Sequence, residues 1–444
     1  MKATEFRITL IAALLTWSAV FSKDSPALQE AVKNKVAQEK ENLLALYREL
    51  HAAPELSFQE EKTSQRMARE MRAAGLEVTE KVGKWGVVAV LKNGPGKTIL
   101  VRTDMDGLPV RELTGLPFAS KAQSKTEEGR EVPVMHACGH DVHMTCWVGT
   151  ARVLASMKDR WHGTLVFIGQ PAEERLGGAN AMLQDGLFQK FPKPDFGLAL
   201  HDTPELAVGQ FGLTANAATA NVDSVDIIVH GLGGHGAMPD RAKDPVVLAA
   251  QIVLALQTIR SREISPIEGG AVTVGSIHGG TQHNIIPDEV KLQLTVRTFS
   301  AETRAKVLES IARIARGQGI SAGMPDELLP EIKKRDWFTP MLRNDPILIG
   351  KLRVVFEKWF GKGSALDRLP TTGGEDFALY GMTPDKIPIA MFWLGVTPQA
   401  EIADARKEGR PLPSLHSPFF KPDMPNALPV GVTAMSAALL DLLE

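Results

Sequence analysis

The chain of 444 residues holds only two cysteines, Cys138 and Cys146. That scarcity excludes a disulfide-stapled scaffold and leaves room for one bridge at most. An excess of charge is missing as well: 50 Lys and Arg stand against 52 Asp and Glu, a formal net charge of −2. With no clustered basic stripe, nothing points to a nucleic-acid partner, and a small-molecule substrate is expected. There is no internal repeat and no low-complexity tract. The apolar run Ile8–Phe21 is too short to span a bilayer comfortably. Lys2 and Arg7 precede it and charged sequence starts at Lys23, the order of a secretory signal. The expectation is a signal peptide over residues 1–22, cleaved after Ser22. The mature protein is then periplasmic or secreted and has no membrane attachment.

For an exported protein, Cys138 and Cys146 would ordinarily form a disulfide. Cys146, however, reads as part of a helix beginning just after Cys138. At about 1.5 Å of rise per residue, the two Cα atoms lie farther apart than the roughly 7 Å a bridge allows. Two free thiols are expected, one of them a ligand.

With 44% apolar and 23% charged residues, the chain has the balance of a globular protein and the length of two domains. Helical spacing marks 27–51 and about 59–74, the latter ending at Gly75. Short apolar strands then alternate with helical patterns: Val87–Leu91, Thr98–Thr103, Thr164–Gly169 and Phe196–His201. That alternation predicts an α/β sheet covered on both faces. From about Asn216 the order changes to strand–helix–strand–strand–helix, through Val222–His230, Asp244–Arg260, Ala271–His278, Val290–Thr298 and Ala301–Arg316. This is the pattern of a small open-faced, ferredoxin-like α+β domain. The larger pattern resumes after about 335 with a helix at 346–360, the strand Ile389–Val396 and a terminal helix from about 428. The fold class is therefore α/β with two domains: a mixed α/β sheet domain over 23–215 and 335–444, and an inserted α+β domain over 216–334. The stretch 321–340 reads as the return linker.

Metal-ligand side chains recur where strands end. Cys138 and His140 occupy a tight Gly-containing loop, and a Cys-x-His pair can aim both donors at one point. Glu173 and Glu174 follow the strand Thr164–Gly169. Two adjacent carboxylates are costly there without a cation, and in extended chain they would point to opposite sides. His201 closes its strand, and His416 lies in Leu415-His416-Ser417-Pro418. Each element alone is bland; a lone Cys-x-His is more often coincidence, and a Glu-Glu pair is more often a solvated loop.

Together, in this order, they resemble the M20 metallopeptidase family. The subgroup is that of hippurate hydrolase, indole-3-acetyl-amino-acid hydrolases and bacterial N-acyl-amino-acid amidohydrolases. The resemblance covers nearly the whole chain after the signal segment. It rests on Arg102–Pro109, His136–His143, Gln170–Glu174, Gly233-Gly234-His235-Gly236-Ala237-Met238-Pro239, Asn284-Ile285-Ile286-Pro287 and Gly373-Gly374-Glu375-Asp376-Phe377. It implies that Cys138 bridges two divalent metals, with His140, His201, Glu174 and His416 completing their shells. Thiolate, imidazole and carboxylate donors suit Zn²⁺, and also Mn²⁺ or Co²⁺. Glu173 is implied as general acid/base and His235 as an oxyanion donor, often toward the partner subunit's active site. The resemblance implies substrate contacts for Asn284 and, more weakly, for Arg297 and the Gly373–Asp376 loop with Gly374. Asp104 and Asp106 would orient metal-bound histidines from behind. His143 reads as a helix-face residue rather than a ligand. His51, His136, His162, His230, His278 and His283 read as structural.

The activity so implied is hydrolysis of N-acyl or N-aroyl L-amino acids, hippurate-like or of the ochratoxin type, by a homo-oligomer joined through a lid and dimerisation domain. An exported dipeptidase or carboxypeptidase of the same family is the alternative, weakened by cysteine at the bridging position. A periplasmic binding protein is a third reading, which would not need Glu173 beside a full ligand set.

Overall fold

The computed structural model describes residues 26–335 and 337–444; the expected signal segment lies outside the described residues. The chain divides into two compact units. The first comprises the described residues up to Ala215 with Asn344–Arg368 and Leu379–Glu444; the second comprises Asn216–Arg343 with Leu369–Ala378.

The first unit opens with helices α1 (Pro26–Ala52) and α2 (Glu61–Ala73), followed by strands β1 (Glu77–Val82), β2 (Gly86–Asn93) and β3 (Thr98–Asp104). A short hairpin, β4 (Gln123–Lys125) and β5 (Glu131–Pro133), leads to helix α3 (His140–Ala155). Then come β6 (Gly163–Gln170), β7 (Phe196–Ala207) and β8 (Phe211–Leu213). The central strands are continuous apolar runs because helices cover both faces; Val87 to Leu91 and Leu165 to Ile168 are all buried.

The second unit holds β9 (Asn221–His230), α4 (Pro245–Thr258), β10 (Gly270–Gly279), β11 (Glu289–Thr298), α5 (Ala301–Ser321) and β12 (Glu331–Lys334). The chain returns to the first unit through α6 (Pro346–Phe360), β13 (Ala365–Asp367), β14 (Ile389–Thr397) and α7 (Met424–Leu443). Helices α4 and α6 start by one device. Asp244 and Asp345 accept the first free backbone N–H groups, and the next residue is proline, whose missing N–H costs nothing at that position.

The large sheet runs β1-β2-β6-β3-β7-β14-β8-β13. Its centre, β6-β3-β7-β14, is parallel, which brings the C-terminal ends of those strands to one edge, where ligands gather in such sheets. The small sheet runs β10-β11-β9-β12 and is antiparallel throughout. Its core forms where the apolar stripes of α4 and α5 meet one face of that sheet; Ile227, Ile252, Leu256, Val307 and Ile311 are fully buried there.

The α/β architecture with a smaller α+β unit is as expected from the sequence. Two details differ. The stretch 321–340 is not a plain linker: β12 pairs with β9, and Thr339 bridges Val222, so these pairings carry the second unit to Arg343. His201 does not close its strand either. β14 continues beside β7 through Trp393↔His201 to Thr397↔Ala207, with a register shift between Gly395 and Thr397, and so sustains the strand beyond Pro204.

Candidate metal centre

Four chain segments of the first unit converge at the strand-end edge of the large sheet. Cys138 and His140 flank Gly139, whose φ of 76° places it in the left-handed region. A Cβ there would meet Asp202 Oδ1 at 2.2 Å, so glycine is required for the loop to reach α3. β6 delivers Glu173 and Glu174, β7 carries His201, and the Leu415–Pro418 loop carries His416. His416 has φ 66° and donates its backbone N–H to Ala137 O at 2.8 Å, which ties the C-terminal loop to the cysteine loop.

The donor atoms of Cys138, His140 and His201 all lie within 4.8 Å of one another, and so do those of Cys138, Glu174 and His416. Cys138 Sγ is common to both triads. It lies 3.7 Å from His201 Nε2 and 3.3 Å from His416 Nε2, and His416 Nε2 is 3.4 Å from Glu174 Oε1. The two cysteines are free thiols.

The expectation that Glu173 and Glu174 point apart does not hold. The segment after β6 is a turn rather than extended chain, with Ala172 at φ 50° and Leu176 at φ 54°. Both carboxylates consequently approach His140 Nε2, each at 3.9 Å. Asp106 holds this turn: it accepts the N–H groups of Glu173 and Glu174 at 3.1 and 3.0 Å and the Ser57 hydroxyl at 2.6 Å. Its Oδ1 also stands 3.2 Å from His140 Nδ1, leaving Nε2 to face the cluster. Buried Glu60 accepts the Ala172 N–H at 2.7 Å.

The imidazoles are held in fixed orientations. His201 Nδ1 donates to the Asp202 carbonyl at 2.8 Å, so Nε2 is the free atom toward Cys138, and burial holds the ring well below the ordinary histidine range. Such outer partners fix the tautomer of a ligating histidine. Trp393 lies against His201 with the rings tilted by 44° and their centroids 4.8 Å apart. Asp104 takes Arg102 Nη1 at 2.7 Å and His143 Nδ1 at 2.7 Å, and His143 Nε2 lies 2.9 Å from Asp202.

The set of residues fits a cation. Burial lowers the affinity of His140 for a proton, yet Asp104, Asp106 and Glu174 raise its pKa to about 10. Burial and then Glu174 and Glu173 push the Cys138 thiol well up. His140 Nε2 and Glu174 Oε1 are buried without a hydrogen-bond partner among the described residues. Divalent cations would satisfy these orphaned atoms and offset the surplus of negative charge.

The other sequence-derived residues are placed as follows. His143 is buried between two carboxylates on the inner side of α3. His51 is buried too, with Nδ1 2.6 Å from Asp141 Oδ2 and Nε2 3.0 Å from Glu112 Oε1. His136 is buried with neither ring nitrogen hydrogen-bonded among the described residues, and burial depresses its pKa to about 4. In the second unit His235 is exposed on a short ribbon, pairing with Ile285, while Gly236 donates to the Asn284 carbonyl at 2.8 Å. His235 and Asn284 are thus neighbours. Arg297 on β11 is half-buried, burial lowers its pKa, and its guanidinium pairs with no carboxylate among the described residues. Gly374 belongs to Leu369–Ala378, which the contacts assign to the second unit.

Ser57, Glu60 and Asp202 were not anticipated, and Arg102 was noted only as part of the Arg102–Pro109 motif. For Asp202, adjacency to His201 in an otherwise apolar strand was the available signal. For Ser57 and Glu60 there was none, because their partners lie far along the chain.

The sequence profile of peptidase family M20/M25/M40 matches residues 100–438. The chain belongs to that family. It is a hydrolase, a metallo-amidohydrolase acting on linear amides. The chain is 38% identical over 333 residues to hippurate hydrolase of Campylobacter jejuni, covering 75% of this chain and 83% of that one. It is 36% identical over 357 residues to N-acetylcysteine deacetylase of Bacillus subtilis, covering 80% and 88%. Among solved structures it resembles a putative aminohydrolase from methicillin-resistant Staphylococcus aureus, with TM-score 0.81 and 30% identity over 94% of this chain and 100% of that one. A second match is a dinuclear metal binding peptidase from M20 family of Bacillus subtilis, with TM-score 0.74 and 30% identity over 92% and 99%.

Proposed function

We propose that this M20 family member hydrolyses the amide of N-acyl and N-aroyl L-amino acids, giving a carboxylate and a free amino acid. The observation that carries the reading is the Cys138 thiol shared between two donor triads, with the Glu173 carboxylate beside them. The similarity to a hippurate hydrolase and to N-acetylcysteine deacetylase supports this substrate class.

Cys138, His140, His201, Glu174 and His416 would hold two divalent ions, Zn²⁺ in the first instance and Mn²⁺ or Co²⁺ as alternatives. Such a pair supplies Lewis-acid polarisation of the scissile carbonyl and acidifies water. Glu173 takes the proton from the attacking water and returns it to the departing nitrogen, so one carboxylate serves both halves of the reaction. Asp106 and Asp104 keep His140 and His143 oriented, and Asp106 fixes the Glu173 backbone. From the second unit, the family resemblance would make His235 an oxyanion donor, often toward a partner subunit's site, Asn284 a substrate contact, and Arg297 and the loop with Gly374 the weaker candidates for its carboxylate.

The exposed Val246, Val247 and Leu254 on α4 and the edge strand β10 with exposed Ile277 support homo-oligomerisation through the second unit. Export rests on the charged-then-apolar N-terminus alone. The test is a mass-spectrometric panel of N-acetyl, N-benzoyl and N-indolylacetyl amino acids and free dipeptides, run beside metal analysis. Turnover of the acyl-amino acids is expected. Failure on all of them with metal bound overturns the proposal, and faster cleavage of dipeptides replaces it with a peptidase.

A further inference from the structure

The five proposed metal ligands are not held equally. Cys138, His140 and His201 are buried, and the Glu174 side chain is only 9% exposed, so the packing around them fixes their directions. The His416 side chain is 54% exposed and lies in a loop with neither helix nor strand. Its place therefore depends on how the backbone of Leu415–Pro418 is tied down. One tie is the bond from the His416 N–H to Ala137 O. The other is at Pro418 O, which accepts the Leu113 N–H at 2.8 Å. Leu113 belongs to the segment 111–120, which has no helix or strand either. Glu112, whose side chain is fully buried, gathers that segment by accepting the Ser120 N–H at 2.5 Å and the Thr114 hydroxyl.

His51 stands where this tether meets the other ligand loop. With a carboxylate at each nitrogen, the ring donates from Nε2 to Glu112 Oε1 at 3.0 Å and from Nδ1 to Asp141 Oδ2 at 2.6 Å. Glu112 precedes Leu113, and Asp141 follows His140. Phe118 packs edge-on against the His51 ring, with centroids 5.4 Å apart. We infer that His51 is a positioning residue for the Cys138–Glu174–His416 triad: through Glu112 and Leu113 it keeps His416 beside Cys138, so the second ion depends on a side chain outside both triads. The inference rests on the two-ion centre of the proposed function. Without His51, Glu112 and Asp141 are left as buried carboxylates with no cation between them. Glu112 then turns toward water and takes Leu113 with it. Asp141 keeps the Val142 N–H at 3.0 Å. His140 and His201 keep their own backing from Asp106 and the Asp202 carbonyl, so the Cys138–His140–His201 triad is spared.

The test titrates the metal-free full chain with Zn²⁺ and with Co²⁺, at a temperature where every variant is folded, and counts the ions bound per chain. Thiolate-to-Co²⁺ absorption reports Cys138. Wild type is expected to take two ions, and His416→Ala marks which binding step belongs to the second triad. His51→Gln, with one amide for two carboxylates, should weaken that step by about 10-fold. The other step and the thiolate absorption should stay unchanged. Leu113→Pro, which removes the N–H of an exposed residue outside the buried network, should do the same. If His51→Gln does not fold, Glu112→Ala breaks the link from its other end and decides in its place. Equal weakening of both steps, the mark of a general loosening, overturns the role of His51 while the proposed function stands. Wild-type binding at the second step in either variant overturns it too. A wild type that takes one ion only overturns the two-ion centre and this role with it.

Discussion

Asp106 Oδ1 lies 3.2 Å from His140 Nδ1, and the same carboxylate accepts the backbone N–H groups of Glu173 and Glu174. One buried side chain therefore orients the ring of a proposed ligand and shapes the turn bearing the proposed acid/base. Asp106→Asn replaces one acceptor oxygen by a donor and cannot satisfy the same groups. Metal affinity or activity should fall by about 10–100-fold, measured by titration of the apo-protein with Zn²⁺ and by turnover at saturating metal. Wild-type values in both assays would remove Asp106 from this role.

Glu173→Gln keeps the size of the side chain but ends proton transfer. An expected drop in kcat of about 10²–10⁴-fold, with metal content and KM retained, separates this residue from the ligands. Glu174→Gln, in contrast, should lose metal. An unchanged kcat in Glu173→Gln would take that residue out of the mechanism.

Cys138 is the more exposed of two buried thiols, at 7% against 2% for Cys146, and burial keeps Cys146 protonated. Without a cation covering its sulfur, Cys138 is the thiol open to oxidation. Chelator followed by peroxide should inactivate irreversibly, with the added oxygens mapping to Cys138 by peptide mass, while the metal-loaded protein resists. Equal sensitivity with and without chelator would count against Cys138 as a ligand.

His51 couples α1 to the start of α3. Burial alone would lower its pKa, but the hydrogen bonds to Asp141 and Glu112 raise it to about 10, above the value of about 6.5 for an unfolded chain. The folded state therefore binds the extra proton between those limits. This contribution is fully present below about pH 6.5 and is lost as pH rises through about 10. Replacement by Gln should lower the thermal midpoint at neutral pH and flatten its decline from pH 7 to 10. A parallel alkaline decline in both proteins would contradict a charged, doubly held His51.

Much of this was legible in the chain itself. Strand and helix positions follow from periodicity, which is local, so α1, β2, β3, β6 and α6 fall within a residue or two of their expected bounds. The strand β7 ran past its expected end because pairing with β14, nearly two hundred residues away, sustains it. The orientation of the Glu173–Glu174 turn was misjudged for the same kind of reason: Asp106 and Glu60, not the turn's own residues, impose the positive φ at Ala172. His143 was read as a helix-face residue rather than a ligand; Asp104 and Asp202 enclose it, and neither partner is near it in sequence.

The sequence by itself determined the order of elements, the division into two units and the chemical identity of the donors, because these depend on side-chain pattern and composition along short windows. Only the tertiary structure decided that Cys138 and His416, 278 positions apart, stand 3.3 Å from each other. It also decided that both glutamates turn to one side, and that His51 stands between Glu112 and Asp141. Those are outcomes of strand order and long-range hydrogen bonds, which a linear pattern does not encode one position at a time.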